Sequence, residues 1–278
     1  MGLESSGSQI SGMKGCEPLL KWPGGKRALL PYLLPLIPQN YKRYIEPFFG
    51  GGALYFQLQP QRAYLSDTNQ ELINCYRQLR DNPDEVIASL SRMRNSESQY
   101  YRIRSLSLHS PIRRAARLIY LTSLSFNGIY RENRLGEFNV PYGYRTYLNP
   151  MQPQRIAAIS AALRRSRLEC LDFEESLKRA RQGDLVYLDP PYTVAHGNNG
   201  FLRYNSKIFS WEDQVRLARA ARALRDLGCS VIMTNACHPS ILGLYKGFSQ
   251  SFIVRSSCVA ATPGDRKSVK EVIVTNVA

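Results

Sequence analysis

The stretch from residue 43 to residue 67 constrains the fold more than any other. Residues 43–49 (RYIEPFF) read as a strand that runs into a glycine turn, Gly50-Gly51-Gly52. Residues 53–59 read as a helix and residues 63–67 (AYLSD) as a second strand. Strand, glycine turn, helix and strand in that order make a βαβ unit of the nucleotide-binding kind. Glycines at such a turn let the backbone come close to a ligand. Asp67 ends the second strand, 17 residues after Gly50, where a carboxylate can accept hydrogen bonds from ribose hydroxyls. Turn and carboxylate together suggest an adenosine-bearing ligand. Lys26 in PGGK is not a Walker lysine, because Arg27 stands where Ser or Thr is needed and the glycine spacing is wrong, which disfavours an ATPase.

The rest of the chain is α/β material with one interruption. Lys26 can open a helix that Pro31 and Pro35 keep short. Helical spacing begins after Asn69 and fills residues 71–124. Residues 126–147 change character, with Asn127-Gly128, Gly136 and Gly143 punctuating short runs, as in a hairpin with turns. Strand-like runs return at 168–173, 185–189, 230–234, 251–259 and 269–275, and a helix over 211–227 is stopped by Gly228. The reading is an α/β sheet domain built from residues 18–68 and 146–278. A mainly helical domain, 69–145, is inserted in it and carries the hairpin near 126–145. Residues 1–17, rich in Ser and Gly, are expected to be a flexible tail. Met1-Gly2 with Ser6 fits the loose myristoylation pattern, but a frayed tail is the preferred reading, and Met13 is a candidate start.

Charge points to the partner. Lys and Arg number 37 against 22 Asp and Glu, a net +15, which suits a polyanion, nucleic acid first. The excess is concentrated in residues 92–145, which hold ten Arg, no Lys, three Glu and no Asp. Six cysteines (16, 75, 170, 229, 237, 258) form no CxxC, and with three histidines and no HExxH a metal site is not expected. The cysteines read as buried thiols of a reducing cytoplasm. No apolar run is long enough to span a membrane, and the first twenty residues lack a signal-peptide core.

The second chemical signal is Asp189-Pro190-Pro191-Tyr192, at the end of the apolar run Leu185-Val186-Tyr187-Leu188. Strand ends are where open α/β sheets bind ligands. The prolines fix the backbone and remove two N–H donors, leaving the Asp189 carboxylate and the Pro190 carbonyl as acceptors. Tyr192 adds an aromatic face. Such a site suits a planar, amine-bearing ring. A rigid turn with a surface Asp is the bland alternative, and the glycine turn with Asp67 weighs against it.

LLKWPGGK, EPFFGGG, the Asp67 strand, NGIYRENRLGEFNVP (residues 127–141) and DPPY, in this order, resemble the DNA adenine methyltransferase (Dam) family, the D12 class of N6-adenine enzymes. The likeness runs from about Leu19 to Asn276 and includes FLRYNSKIFS (residues 201–210) and Thr234-Asn235. It implies a Rossmann-like methyltransferase sheet, S-adenosylmethionine as methyl donor with S-adenosylhomocysteine as product, and double-stranded DNA as substrate. A monomer on DNA, in the cytoplasm of a bacterial or phage-infected cell, is expected. No metal is implied.

By matching position, Trp22, Lys26, Glu46, Phe48, Gly50, Gly52, Asp67 and Asp189 are implied at the cofactor. Asp172 and Phe173, taken as the end of a strand, are implied against its adenine. Lys21, Phe126, Asn127, Ile129, Arg131, Asn133, Asn139 and Pro141 are implied at the DNA. Arg131 matches a reader of guanine in GATC, an expected Arg fork to O6 and N7. Phe126 matches the wedge beside a flipped adenine, although Tyr is common there, and Asn127 lies near the orphaned base. Lys21 matches a residue near the outer guanine. Glu132 beside Arg131 is a departure that brings an acid toward phosphates. Two other readings stay open: the same fold acting on RNA or a protein amide, and a DNA-binding protein without turnover. Asn rather than Asp before Pro-Pro-Tyr, or an eroded glycine turn, would favour them.

Overall fold

The computed structural model describes residues 15–133, 135–193, 209–256 and 268–277. The βαβ unit is as read. Strand β1 (Tyr44–Glu46) runs parallel to β2 (Ala63–Asp67), with helix α2 (Ala53–Leu58) as the crossover. Strands β3 (Ser166–Cys170), β4 (Leu185–Leu188) and β5 (Ser230–Ala236) extend the parallel part. Strands β6 (Ser249–Ser256) and β7 (Ser268–Thr275) add an antiparallel edge, giving seven strands in the order β3-β2-β1-β4-β5-β7-β6. The order reverses between β1 and β4, and a ligand crevice opens at the carboxyl end of such a switch point.

Central β4 is buried at every residue. Its side chains alternate between two cores: Leu185 and Tyr187 join one cluster, and Val186 and Leu188 the other. A strand covered on both faces reads as an unbroken apolar run, as LVYL does. Short helix α1 (Leu30–Leu33) sits between two 3-10 turns and is limited by Pro31 and Pro35, as expected.

The helical segment between β2 and β3 consists of α3 (Gln70–Asp81), α4 (Pro83–Leu90), α5 (Glu97–Arg104), α6 (Pro111–Leu124) and α7 (Pro153–Leu163). Asn69, Ser96 and Ser110 cap α3, α5 and α6 through side-chain acceptors, each satisfying a backbone N–H that the first turn leaves unpaired. Helix α3 packs on α6 and α7 as well as on β3, so the segment shares its core with the sheet. On the other face lie α8 (Phe173–Leu177), α9 (Trp211–Asp226) and α10 (Pro239–Leu244). A Ser210–Asp213 capping box starts α9, and Gly228, at φ +85°, follows its end.

Two sequence expectations need correction. Residues 171–173 do not continue β3. Asp172 caps α8, accepting from the Glu174 N–H, and Phe173 is the first residue of that helix. The apolar spacing of Leu168, Leu171 and Phe173 hid this cap. The described cysteines are not all buried: Cys75 and Cys229 are buried, Cys16 and Cys237 are half-buried, and Cys170 is exposed at the end of edge strand β3. Residues 1–14, 201–208, 257–259 and Cys258, named above, lie outside the described residues. Among the described residues no helix is long and apolar enough to cross a membrane.

Candidate active site

The glycine turn is tight for steric reasons. Gly50 and Gly52 have φ of +47° and +66°, a region costly for side-chain-bearing residues. A Cβ on Gly52 would lie 2.6 Å from the Phe49 ring, and one on Gly50 3.0 Å from Trp22 Cδ1. Trp22 therefore covers the turn. Asp67 fixes it from below: its Oδ2 accepts from Gly50 N–H at 3.0 Å and its Oδ1 from Asn69 N–H at 2.9 Å. Buried Tyr76 donates to the Gly50 carbonyl at 3.1 Å.

Asp189 follows directly after β4, beside the turn. Its Oδ1 accepts from Thr234 Oγ1 at 2.7 Å and pairs with Lys26 Nζ at 2.8 Å. Lys26 is only 6% exposed, donates also to the Gly24 carbonyl, and holds its ammonium 4.8 Å from the centre of the Tyr192 ring. The loop after Asp189 is held from α9. Fully buried Gln214 donates to the Pro191 carbonyl at 3.4 Å and to Thr193 Oγ1 at 3.1 Å, and accepts from buried Asn235.

Three carboxyl groups gather at this edge of the sheet: Glu46, Asp67 and Asp189. Burial raises all three above the ordinary carboxylate range. For Glu46 the rise is large; its Tyr44 hydrogen bond opposes it, and the neighbouring Asp189 and Asp67 charges add to it. For Asp189, burial outweighs the lowering by Lys26. Burial also pushes the Tyr192 phenol well up, with Asp189 and Glu271 adding to the rise. A crowded, desolvated set of acids favours a cation among them.

The adjoining hairpin is irregular. It carries two isolated bridges, Ser125–Tyr142 and Glu132–Phe138, rather than a continuous ladder. Phe126 N–H donates to the Pro141 carbonyl and Asn139 N–H to that of Arg131, which keeps the two arms together. Tyr100 and Arg104 of α5 bond the Val140 carbonyl. Asn127 has φ +55°, a conformation Asn tolerates well. Lys21 packs over Gly128, with Lys21 Cδ 2.5 Å from where a Cβ would stand.

A family model for D12 class N6 adenine-specific DNA methyltransferases matches residues 22–258. The chain belongs to that family. Among its relatives, the type II methyltransferase M1.LlaDCHI of Lactococcus lactis subsp. cremoris is 41% identical over 94% of this chain and 95% of its own length. Type II methyltransferase M.MjaIII of Methanocaldococcus jannaschii is 32% identical over 94% of this chain and 99% of its own. The DNA adenine methylase of Escherichia coli K12 is 29% identical over 94% of this chain and 95% of its own.

Within this methyltransferase chain, the residues singled out from sequence fall into two neighbouring groups. Trp22, Lys26, Glu46, Gly50, Gly52, Asp67, Asp189 and Tyr192 converge at the carboxyl ends of β1, β2 and β4. Phe48 stacks on Phe173 at 5.5 Å, which brings Asp172 to the same edge. Lys21, Phe126, Asn127, Arg131, Asn133 and Pro141 are exposed along the hairpin, with Ile129 and Asn139 half-buried. Glu132 is turned aside: its carboxylate accepts from the Tyr130 hydroxyl. Sequence reasoning missed Tyr130, which stacks on Trp22 with ring centres 4.4 Å apart, and Gln214. Tyr130 lies inside the hairpin motif, so its position was visible though its contact was not.

Proposed function

We propose that the chain transfers a methyl group from S-adenosylmethionine to N6 of an adenine flipped out of duplex DNA, in GATC, acting as a monomer. The observation that carries this reading is the Asp189-Pro190-Pro191-Tyr192 segment beside the Asp67-bound glycine turn, next to the exposed face of a hairpin that ends the arginine-rich segment 92–145.

The residues fit the cofactor. Buried Glu46 and half-buried Asp67 and Asp189 suit a cationic ligand, and the turn under Trp22 brings backbone close. Asp67 would accept from ribose hydroxyls, while Asp172, Phe173 and Phe48 would line the adenine. When bound, the cofactor supplies an electrophilic methyl group on a good leaving group.

The chain's own task is positioning. Adenine N6 is a poor nucleophile because its lone pair is delocalised into the ring, and a stacked base cannot be reached. The Thr234 and Lys26 contacts both fall on Asp189 Oδ1. Oδ2 is then the oxygen that accepts one N6–H, and the Pro190 carbonyl accepts the other. Both bonds draw N6 toward tetrahedral geometry and aim its lone pair at the methyl group. Tyr192 stacks on the ring. Burial makes Asp189 more basic, which suits it to receive the proton N6 loses. At the hairpin, Arg131 Nε is tied to Asn139 Oδ1 at 2.8 Å, which leaves its two terminal nitrogens for a guanine fork.

Digestion with GATC-cutting endonucleases of opposite methylation sensitivity tests the reading. Treated duplex should resist the enzyme blocked by N6-methyladenine and become open to the one that requires it. Labelled methyl uptake without either change would remove the GATC assignment. No uptake on any duplex would remove the activity.

A further inference from the structure

Tyr130 closes a ring of contacts between the hairpin and the glycine turn. Its own ring, 8% exposed, stacks on Trp22 at 4.4 Å with planes 23° apart. Trp22 covers Gly50, and Gly50 N–H is held by Asp67 Oδ2. Asp67 Oδ1 holds Asn69 N–H, and Asn69 Nδ2 donates to the Tyr130 hydroxyl at 3.2 Å. The hydroxyl in turn donates to Glu132. The circuit is thus Tyr130, Trp22, Gly50, Asp67, Asn69 and back, and its hairpin member is the chain neighbour of Arg131.

We propose that Tyr130 is a positioning residue that couples DNA recognition to cofactor binding. The inference rests on the methyltransferase reading and adds a residue to it. Both halves of the phenol are used: the face against Trp22 and the hydroxyl between Asn69 and Glu132. Ordering the hairpin on DNA fixes the Tyr130 ring, and through it Trp22 and Asn69. The turn and Asp67 are then already set when the cofactor arrives. A second ligand that finds the shared elements ordered loses less conformational entropy, and linkage requires the effect to be mutual. Tyr130 also engages the carboxylate of Glu132, the chain neighbour of Arg131, so a loosened ring would free an acid beside the proposed guanine reader.

The test uses the full chain, S-adenosylhomocysteine and a GATC duplex. The dissociation constant of each ligand is measured by calorimetry with and without a saturating amount of the other. Wild type should show mutual tightening within the usual span of about five- to 150-fold. Tyr130→Leu, which removes stack and hydroxyl, should bring the factor close to one. Tyr130→Phe keeps the stack and the shape, so it guards against misfolding; it removes both hydroxyl bonds, of which the Asn69 bond closes the circuit, and should cut the factor about threefold, the worth of that one modest hydrogen bond. Simple packing by Tyr130 would weaken each ligand alone and leave the factor unchanged. A wild-type factor retained in both variants overturns the proposal, as does wild type that binds both ligands without coupling. Wild type that binds neither ligand overturns the methyltransferase reading itself, and this inference with it.

Discussion

Replacing Asp189 with Ala should have two separable effects. The first is chemical. Asp189 is the only side-chain acceptor in the N6 clamp, and loss of one preorganised hydrogen-bonding partner of a transition state costs roughly 10²–10³ in rate. The second is structural. Lys26 is 6% exposed and pairs with Asp189 at 2.8 Å, so the substitution strands a buried ammonium with the Gly24 carbonyl as its remaining acceptor. Breaking a buried pair in this way costs about 3–5 kcal/mol, and the lower end applies because one hydrogen bond survives. Urea unfolding and methyl transfer from labelled S-adenosylmethionine read the two effects. The double variant Lys26→Met with Asp189→Ala removes the stranded charge. It should recover most of the lost stability and stay inactive. Turnover of Asp189→Ala above about a tenth of wild type would refute the clamp. A double variant as unstable as the single one would refute the ion pair as the source of the instability.

Three further outcomes follow from the same geometry. Asp67→Ala should weaken cofactor binding by about tenfold or more, since it loses charged-acceptor hydrogen bonds worth about 1.5–3 kcal/mol each, and weaken DNA binding less; equal cofactor affinity in calorimetry would take Asp67 out of the site. Gly52→Ala should cost about 2–4 kcal/mol, combining a left-handed backbone with a clash against Phe49, and urea unfolding with less than half of that loss would contradict the crowding described. Glu46 and Asp189 have folded pKa values above their unfolded ones. Their contribution to stability is therefore full at acid pH and is lost as pH rises through the raised values. A sulfonium favours the ionised acids, so preference for S-adenosylmethionine over neutral-sulfur S-adenosylhomocysteine should grow from acid to mildly alkaline pH. A ratio independent of pH would mean the acids do not face the sulfur.

Local pattern made most of the sheet legible. The run 43–67 could be read because strand, glycine turn and strand follow one another within a short span, and β4 because LVYL is apolar at every position, as two-sided burial demands. The end of β3 was misread because Asp172 is a cap whose role depends on its hydrogen bond to Glu174, while the flanking Leu171 and Phe173 fit a strand equally well. The hairpin was marked by its glycines, yet its arms make isolated bridges, held by α5 contacts that no sequence period shows. Resemblance alone implies Lys26 at the cofactor; its pairing with Asp189 joins segments far apart in the chain and shows only in three dimensions. Tyr130 and Gln214 escaped for the same reason, as aromatic and amide groups whose partners come from other elements.

The central claim is transfer of a methyl group to adenine N6 in duplex DNA. Purified protein, a GATC duplex and S-adenosylmethionine carrying a tritiated methyl group are incubated, and the DNA is digested to nucleosides and separated. The account predicts label in N6-methyl-2′-deoxyadenosine alone, absent when the GATC adenine is replaced. Label in a methylated cytosine, or none in DNA at all, would contradict it.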